Sequence, residues 1–238
     1  MSYRIPAPHD RLHGEASLPE DVRVEDFWRW AFSDLLEDYL KGIFAEWMVG
    51  VLLGLPMREH HRLEFLRYDL PVSSRLVEVK ATAYWQSWKV LDENGSPRPF
   101  AKKPATPDSQ IGFGGLKTKK GEYKADLYVF CFQRERELER WNALDLNQWE
   151  FYVLRREALE RLGTRSIKLK KLRELSPQMT AREFQERMRS ELGGHAAERW
   201  WPVWASPICS QATLPKPGAD GGSGLVIRCA VGNRLCRF

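Results

Sequence analysis

The chain has little cysteine. Of 238 residues 4 are Cys, and only Cys131 lies in the body of the sequence; Cys209, Cys229 and Cys236 fall in the last thirty residues. None has CxxC spacing or a neighbouring His pair, which excludes a disulfide scaffold and argues against a structural zinc site. Long apolar runs are missing too. The longest, Phe44 to Pro56, is interrupted by Glu46 and falls short of the ~20 residues of a membrane span. The opening MSYRIPAPHDRLHGE has no apolar secretion core. The expectation is a soluble, reducing, cytoplasmic protein with no membrane partner. There is no internal repeat. No G-x-S-x-G supports a nucleophilic serine, and the glycines of Ile111 to Gly115 are not followed by the Lys-Ser/Thr of a phosphate loop.

Aromatic and charged residues, by contrast, are plentiful. Hydrophobic residues make up 43% of the chain and 10 residues are Trp, enough for a packed core and too many for a disordered chain. Lys and Arg number 37 against 32 Asp and Glu, a net +5, but the charge is placed unevenly. Residues 1–65 carry 7 basic and 12 acidic residues, whereas residues 98–124 carry 7 basic and 2 acidic. The stretch RSIKLKKLR (165–173) has five basic residues and no acid. Both stretches are therefore candidate phosphate contacts, Lys102, Lys103, Lys117, Lys119 and Lys120 foremost, with Arg98 and Lys124 in the same run, the alternative being an ordinary solvated face.

Pattern and punctuation predict one mixed α/β domain over residues 21–204. A flexible lead (1–20) would precede it, and a Gly/Pro/Ser-rich tail (205–238) would follow. Phe27, Trp28, Ala31, Leu35 and Tyr39 have helical spacing, and Leu40 to Leu53 reads as a second helix stopped by Gly54 and Pro56. Arg62 to Leu70 and Arg75 to Thr82 read as a hairpin around Pro71–Ser74. Ile111 to Leu116 is a short strand candidate, and ADLYVFCF (125–132) is apolar enough to be a central strand covered on both faces. Gln148 to Leu154 is a further strand, Arg156 to Leu162 a helix ended by Gly163, and Ser166 to Leu172 alternates like an edge strand. Thr180 and Glu183 form a capping-box pattern opening a last helix. Trp28, Trp30, Trp47, Trp149, Trp200 and Trp201 are assigned to the core.

The residues with chemistry are concentrated in LEFLRYDLPVSSRLVEVKATAYWQSW (63–88). In a strand Glu78 and Lys80 share one face while Val77, Val79 and Ala81 share the other, so the valines face a core and the charged pair a cleft or water. A tight hairpin brings Asp69 beside Glu78. Two converging carboxylates suit Mg²⁺ or Mn²⁺, and a Lys two residues along can orient a water, the equipment of metal-assisted phosphodiester hydrolysis. Glu46 lies in the apolar helical stripe Tyr39, Ile43, Gly50, Leu53, where an acid is costly unless paired or metal-bound. Gly42 and Gly50 leave it room, so Glu46 is a candidate metal ligand completing the site from the helix side. Gln86 can hold a phosphate, a base edge or a water, and Tyr84, Trp85 and Trp88 can stack on bases. The plain alternative is a solvated hairpin with a cross-strand ion pair.

The order D-x8-E-x-K after a helix bearing a Glu resembles the PD-(D/E)xK, or restriction-endonuclease-like, nuclease superfamily. Here Tyr68-Asp69 stands for the "PD" element, without its Pro, and Glu78-Val79-Lys80 is the second motif. The chain is similar to a bacterial group in that superfamily. The matching segments are Lys41 to Glu46, Asp69, Glu78 to Trp88, Ser109 to Phe113, Tyr128 to Phe130 and Gln148 to Leu154, and the likeness spans roughly residues 25–190. The resemblance implies an αβββαβ core. It implies Asp69 and Glu78, with the Val79 carbonyl, as Mg²⁺ ligands (Mn²⁺ substituting), Lys80 as the water-positioning residue, and Glu46 and Gln86 as accessory residues. DNA is the expected partner, with RNA and a homodimer open. A nucleic-acid-binding protein of the same fold with weak or no catalysis is the alternative. A hydrolase using Asp69 and Glu78 as an acid/base pair, or an interaction subunit, is a third class.

Overall fold

The computed structural model describes residues 6–13, 22–57, 62, 68–86 and 106–193. The chain divides into two units, residues 1–203 and 204–238; the second, with the expected tail, lies outside the described residues. Where the composition suggested a flexible lead, backbone hydrogen bonds run from Leu12 N to Val22 O and from Val24 N to Asp10 O, tying residues 10–12 to the start of the first helix.

The architecture is mixed α/β. Helices α1 (Val24–Phe32) and α2 (Asp38–Leu52) lead into the hairpin β1 (Leu70–Val72) and β2 (Arg75–Ala83). A two-residue strand β3 (Gly112–Phe113) follows, then β4 (Leu127–Gln133), β5 (Trp149–Arg155) and α3 (Arg156–Leu162). The short strand β6 (Ile167–Lys168) runs directly into α4 (Leu169–Leu175), and α5 (Ala181–Glu191) is the last helix described. The main sheet has the order β1-β2-β4-β5, with β2 parallel to β4 and the other pairs antiparallel; β3 and β6 form a small second sheet.

The hairpin forms with shifted bounds: Pro71 and Val72, expected in the turn, pair with Leu76 and Arg75 as part of β1, while Arg62, Tyr68 and Asp69, expected in the strand, precede it. The turn itself is Ser73 and Ser74, and Ser73 takes φ +54, a left-handed conformation that a short polar residue tolerates. Strand β4 is the apolar run foreseen, with every residue buried. Its side chains alternate between two cores. Leu127, Val129 and Cys131 join Val77 and Val79 of β2, Ala45, Met48 and Val49 of α2, and Phe184 and Met188 of α5. Tyr128, Phe130 and Phe132 join Ile111, Phe113, Leu116, Ile167, Leu169 and Leu172 on the opposite face. Truncating a ring as deep as Phe130 to Ala would cost about 3–5 kcal/mol.

Helix ends follow the sequence cues. Gly163 caps α3 at φ +65, and Thr180 and Glu183 make the reciprocal capping-box bonds of α5. Two further expectations fail. The SIKLKKL segment is not an edge strand, because after Ile167 the buried positions Leu169 and Leu172 are spaced by three and turn as a helix. The aromatics of α1 are not core: α1 buries no residue, and Trp28, Trp30 and, on α2, Trp47 are exposed. Trp149 is buried as expected, while Trp200 and Trp201 lie outside the described residues. No helix among the described residues is long and apolar enough to cross a membrane.

Candidate functional site

Strand register brings the Asp-Glu-Lys residues together. Leu70 pairs with Val77, so the next step of the hairpin sets Asp69 opposite Glu78. Asp69 is locked there by its own backbone and side chain: its N–H donates to Val77 O at 3.1 Å, and its Oδ2 accepts the Val79 N–H at 2.7 Å. Burial pushes the Asp69 carboxyl up to about 7, with the negative charges of Glu78 and Glu46 adding to the rise. At neutral pH Asp69 is therefore poised between its two protonation states.

Glu78 and Lys80 share a strand face, as alternation requires, but only Lys80 reaches water there, with Glu78 buried. The parallel register sets Glu78 beside Tyr128 and Lys80 beside Phe130, so the pair sits on the second core. Glu78 is 1% exposed. Its Oε1 accepts from Lys80 Nζ at 2.6 Å and lies 3.4 Å from Lys124 Nζ, while its Oε2 is buried with no hydrogen-bond partner. An unpartnered oxygen on a buried carboxylate carries a large desolvation cost unless a cation or proton meets it.

The accessory residues are more fully engaged than their sequence positions suggest. Both oxygens of Glu46 are held by Arg62, Nε to Oε2 at 2.6 Å and Nη2 to Oε1 at 3.0 Å. Room beside it is only partial, because the space of a Cβ at Gly50 is filled by Met57, whereas Gly42 is open. Gln86 donates to Ala83 O at 2.8 Å and Thr82 Oγ1 at 3.3 Å, and its Oε1 accepts from the buried ammonium of Lys41 at 3.3 Å. Lys41 also reaches Asp38 Oδ1 and the Trp85 carbonyl, fastening α2 to the end of β2; burial lowers its pKa. Tyr84 and Trp85 are both buried, with the Tyr84 hydroxyl on Asp108 and the Arg136 guanidinium over its ring. Neither offers a face to a base.

Of the basic candidates, Lys119 and Lys120 are exposed in the turn closed by Gly121 N to Thr118 O. Lys117 lies over the Tyr123 ring and donates to Gly163 O at 3.0 Å. Trp88, Lys102 and Lys103 lie outside the described residues. In the 165–173 stretch, Arg165 donates to Thr118 O and Arg173 is held by Glu150 and Tyr152.

Sequence reasoning missed the parts played here by Arg62 and Lys41, and it placed Lys124 in the basic stretch 98–124 without its link to Glu78. Arg62 showed no partner at a helical or strand spacing. Lys41 carried a faint sign, a lone cation in an apolar helix with an acid three residues before it. Lys124 reaches Glu78 only through the β2–β4 register, which spacing along the chain does not encode.

As oxygen donors, Asp69 and Glu78 suit a hard cation, and the orphaned Glu78 Oε2 is a position such a cation would satisfy. Among the described residues no group of three or more His, Cys, Asp or Glu side chains is gathered to hold a metal. Two carboxylates suffice for Mg²⁺, which keeps several of its waters. No family model matches the chain, and no curated protein or solved structure matches it.

Proposed function

We propose that the chain is a Mg²⁺-dependent deoxyribonuclease with a restriction-endonuclease-like core, hydrolysing a DNA phosphodiester at Asp69, Glu78 and Lys80. The observation that carries this reading is the buried Glu78 carboxylate, with ammonium groups on one oxygen and nothing on the other, opposite Asp69 across the hairpin. A structural ion pair has no reason to leave that oxygen bare.

Asp69 and Glu78 would hold the metal, with the Val79 carbonyl as a third donor. Bound there, Mg²⁺, or Mn²⁺ in its place, supplies Lewis acidity that offsets charge on the phosphoryl oxygens and acidifies water. Asp69 must be deprotonated to act as a ligand. Its Oδ2 is kept in place by the Val79 N–H, so the hairpin backbone orients the carboxylate. Lys80 is held on Glu78 and is 22% exposed, which leaves its ammonium within reach of a substrate oxygen or an attacking water. Glu46, engaged by Arg62, acts on Asp69 through its charge.

The engagement of Glu46 and Gln86 favours one competing reading, a DNA-binding protein of the same fold without catalysis. Incubation with supercoiled, linear duplex and single-stranded DNA separates the two. Mg²⁺- or Mn²⁺-dependent cleavage that is lost in Asp69→Ala and in excess EDTA is the expected result. Binding without cleavage supports the competing reading, and cleavage surviving in EDTA overturns the metal assignment.

A further inference from the structure

Glu78 Oε1 has two ammonium neighbours, and only one is needed to pair it. Lys80 Nζ, at 2.6 Å, makes a full charge-assisted hydrogen bond, whereas Lys124 Nζ, at 3.4 Å, is a looser second cation. The carboxylate is 1% exposed, but the two lysine side chains are 22% and 31% exposed. The buried Glu78 carboxylate is thus capped by two ammonium groups on partly exposed side chains, with Asp69 alongside on the hairpin, and Lys124, the more loosely held of the two, is the one with an ammonium to offer outward.

The backbone of Lys124 is placed deliberately. Tyr128, the register partner of Glu78 on β4, accepts the N–H of Lys124 at 2.8 Å and of Ala125 at 3.4 Å, and donates to Leu116 O at 3.3 Å. A phenol hydroxyl has little further capacity. One buried oxygen therefore fixes both Lys124 and the end of the Gly114–Gly115 loop. Both glycines are exposed, Gly115 takes φ +68, and a Cβ there would stand 4.0 Å from Lys80 Nζ. A longer side chain at that position would cover Lys80, so glycine keeps the approach open as well as allowing the turn.

We propose that Lys124, positioned by Tyr128, is a substrate-binding residue that contacts a phosphate of duplex DNA beside Lys80, with the Gly114–Gly115 loop as the open wall of the approach. The inference deepens the nuclease reading and rests on it for the identity of the substrate.

The test is fluorescence anisotropy of a short labelled duplex DNA in EDTA, over a salt series, with metal-dependent cleavage of the same duplex measured alongside. Lys124→Ala is expected to weaken binding roughly 5–10-fold and to reduce the slope of log K against log salt by about 0.9, one phosphate contact. Lys124→Arg should keep both. Arg189→Ala, an exposed position on α5, which packs on the opposite face of the sheet, should change neither. An unchanged slope and affinity in Lys124→Ala, with wild type binding and cleaving, overturns the role of Lys124 and leaves the nuclease reading standing. Loss of binding in Lys124→Ala while wild type never cleaves upholds Lys124 and removes the nuclease. A Lys124-dependent slope on single-stranded RNA but not on duplex DNA overturns the choice of substrate.

Discussion

Two glutamates are buried on the same face of the main sheet, at opposite ends, and they are treated differently. Glu150 on β5 is 6% exposed, and its Oε2 receives the Tyr152 hydroxyl at 2.6 Å and Arg173 Nη2 at 3.0 Å. The network continues, since Arg173 also donates to the Tyr152 oxygen and lies near Asp108, which is held by Tyr84 and Arg136. Glu78 on β2 is more deeply buried, yet one of its oxygens has no partner and its cations reach solvent. A buried charge tied into a closed network is a fastener. A buried charge left incomplete at the rim of the sheet costs stability and is better explained by a ligand.

Substitutions can pull this contrast apart. Glu78→Gln keeps the shape of the side chain, so the fold should survive in circular dichroism while cleavage falls by at least about 10³-fold, roughly 4 kcal/mol of lost transition-state stabilisation. Glu150→Ala strands Arg173 and Tyr152 and should lower unfolding free energy by about 3–5 kcal/mol in urea titrations. Any loss of cleavage it causes should follow the loss of folded protein. If Glu78→Gln proved the more destabilising of the two, the roles assigned to them would be reversed.

The next effect depends on pH. The folded-state pKa of Asp69, about 7, lies above its unfolded value near 4, so the folded protein binds the proton more tightly. Its contribution to stability is full below pH ~4 and is lost as pH rises through about 7. Metal-free wild type should therefore lose ~1–3 kcal/mol against Asp69→Asn between those limits, a figure set below the full linkage value because Asp69 is only half-buried. The smallest effect expected is at Lys119. Lys119→Ala removes an exposed charge at a turn tip, and DNA affinity should drop about 2-fold with little change in stability.

Local signals made much of the fold legible. Six consecutive apolar residues, Leu127 to Phe132, announced β4, Gly163 and the Thr180–Glu183 pair marked helix ends, and a turn expected within Pro71–Ser74 fixed the hairpin whose register faces Asp69 with Glu78. Periodicity identifies which residues share a face, but not what packs against it. That is why the face of Glu78 and Lys80, expected toward a cleft or water, proves to adjoin a second core made of Tyr128, Phe113 and Leu116, with Glu78 buried and Lys80 partly exposed. The same limit misassigned α1, whose aromatic spacing is helical although nothing described covers it. Lys124, Tyr128 and Arg62 join the site through tertiary contacts across 46, 50 and 16 residues, read from Lys124 and Tyr128 to Glu78 and from Arg62 to Glu46, distances over which no spacing rule operates.

Calorimetric titration of Mn²⁺ at pH 7 into wild type, Glu78→Gln and Glu150→Gln tests the contrast most directly. Wild type and Glu150→Gln should bind the ion and release part of a proton from Asp69, and Glu78→Gln should not bind it. Absence of binding in wild type, or undiminished binding in Glu78→Gln, would contradict the assignment of the bare Glu78 oxygen to a metal.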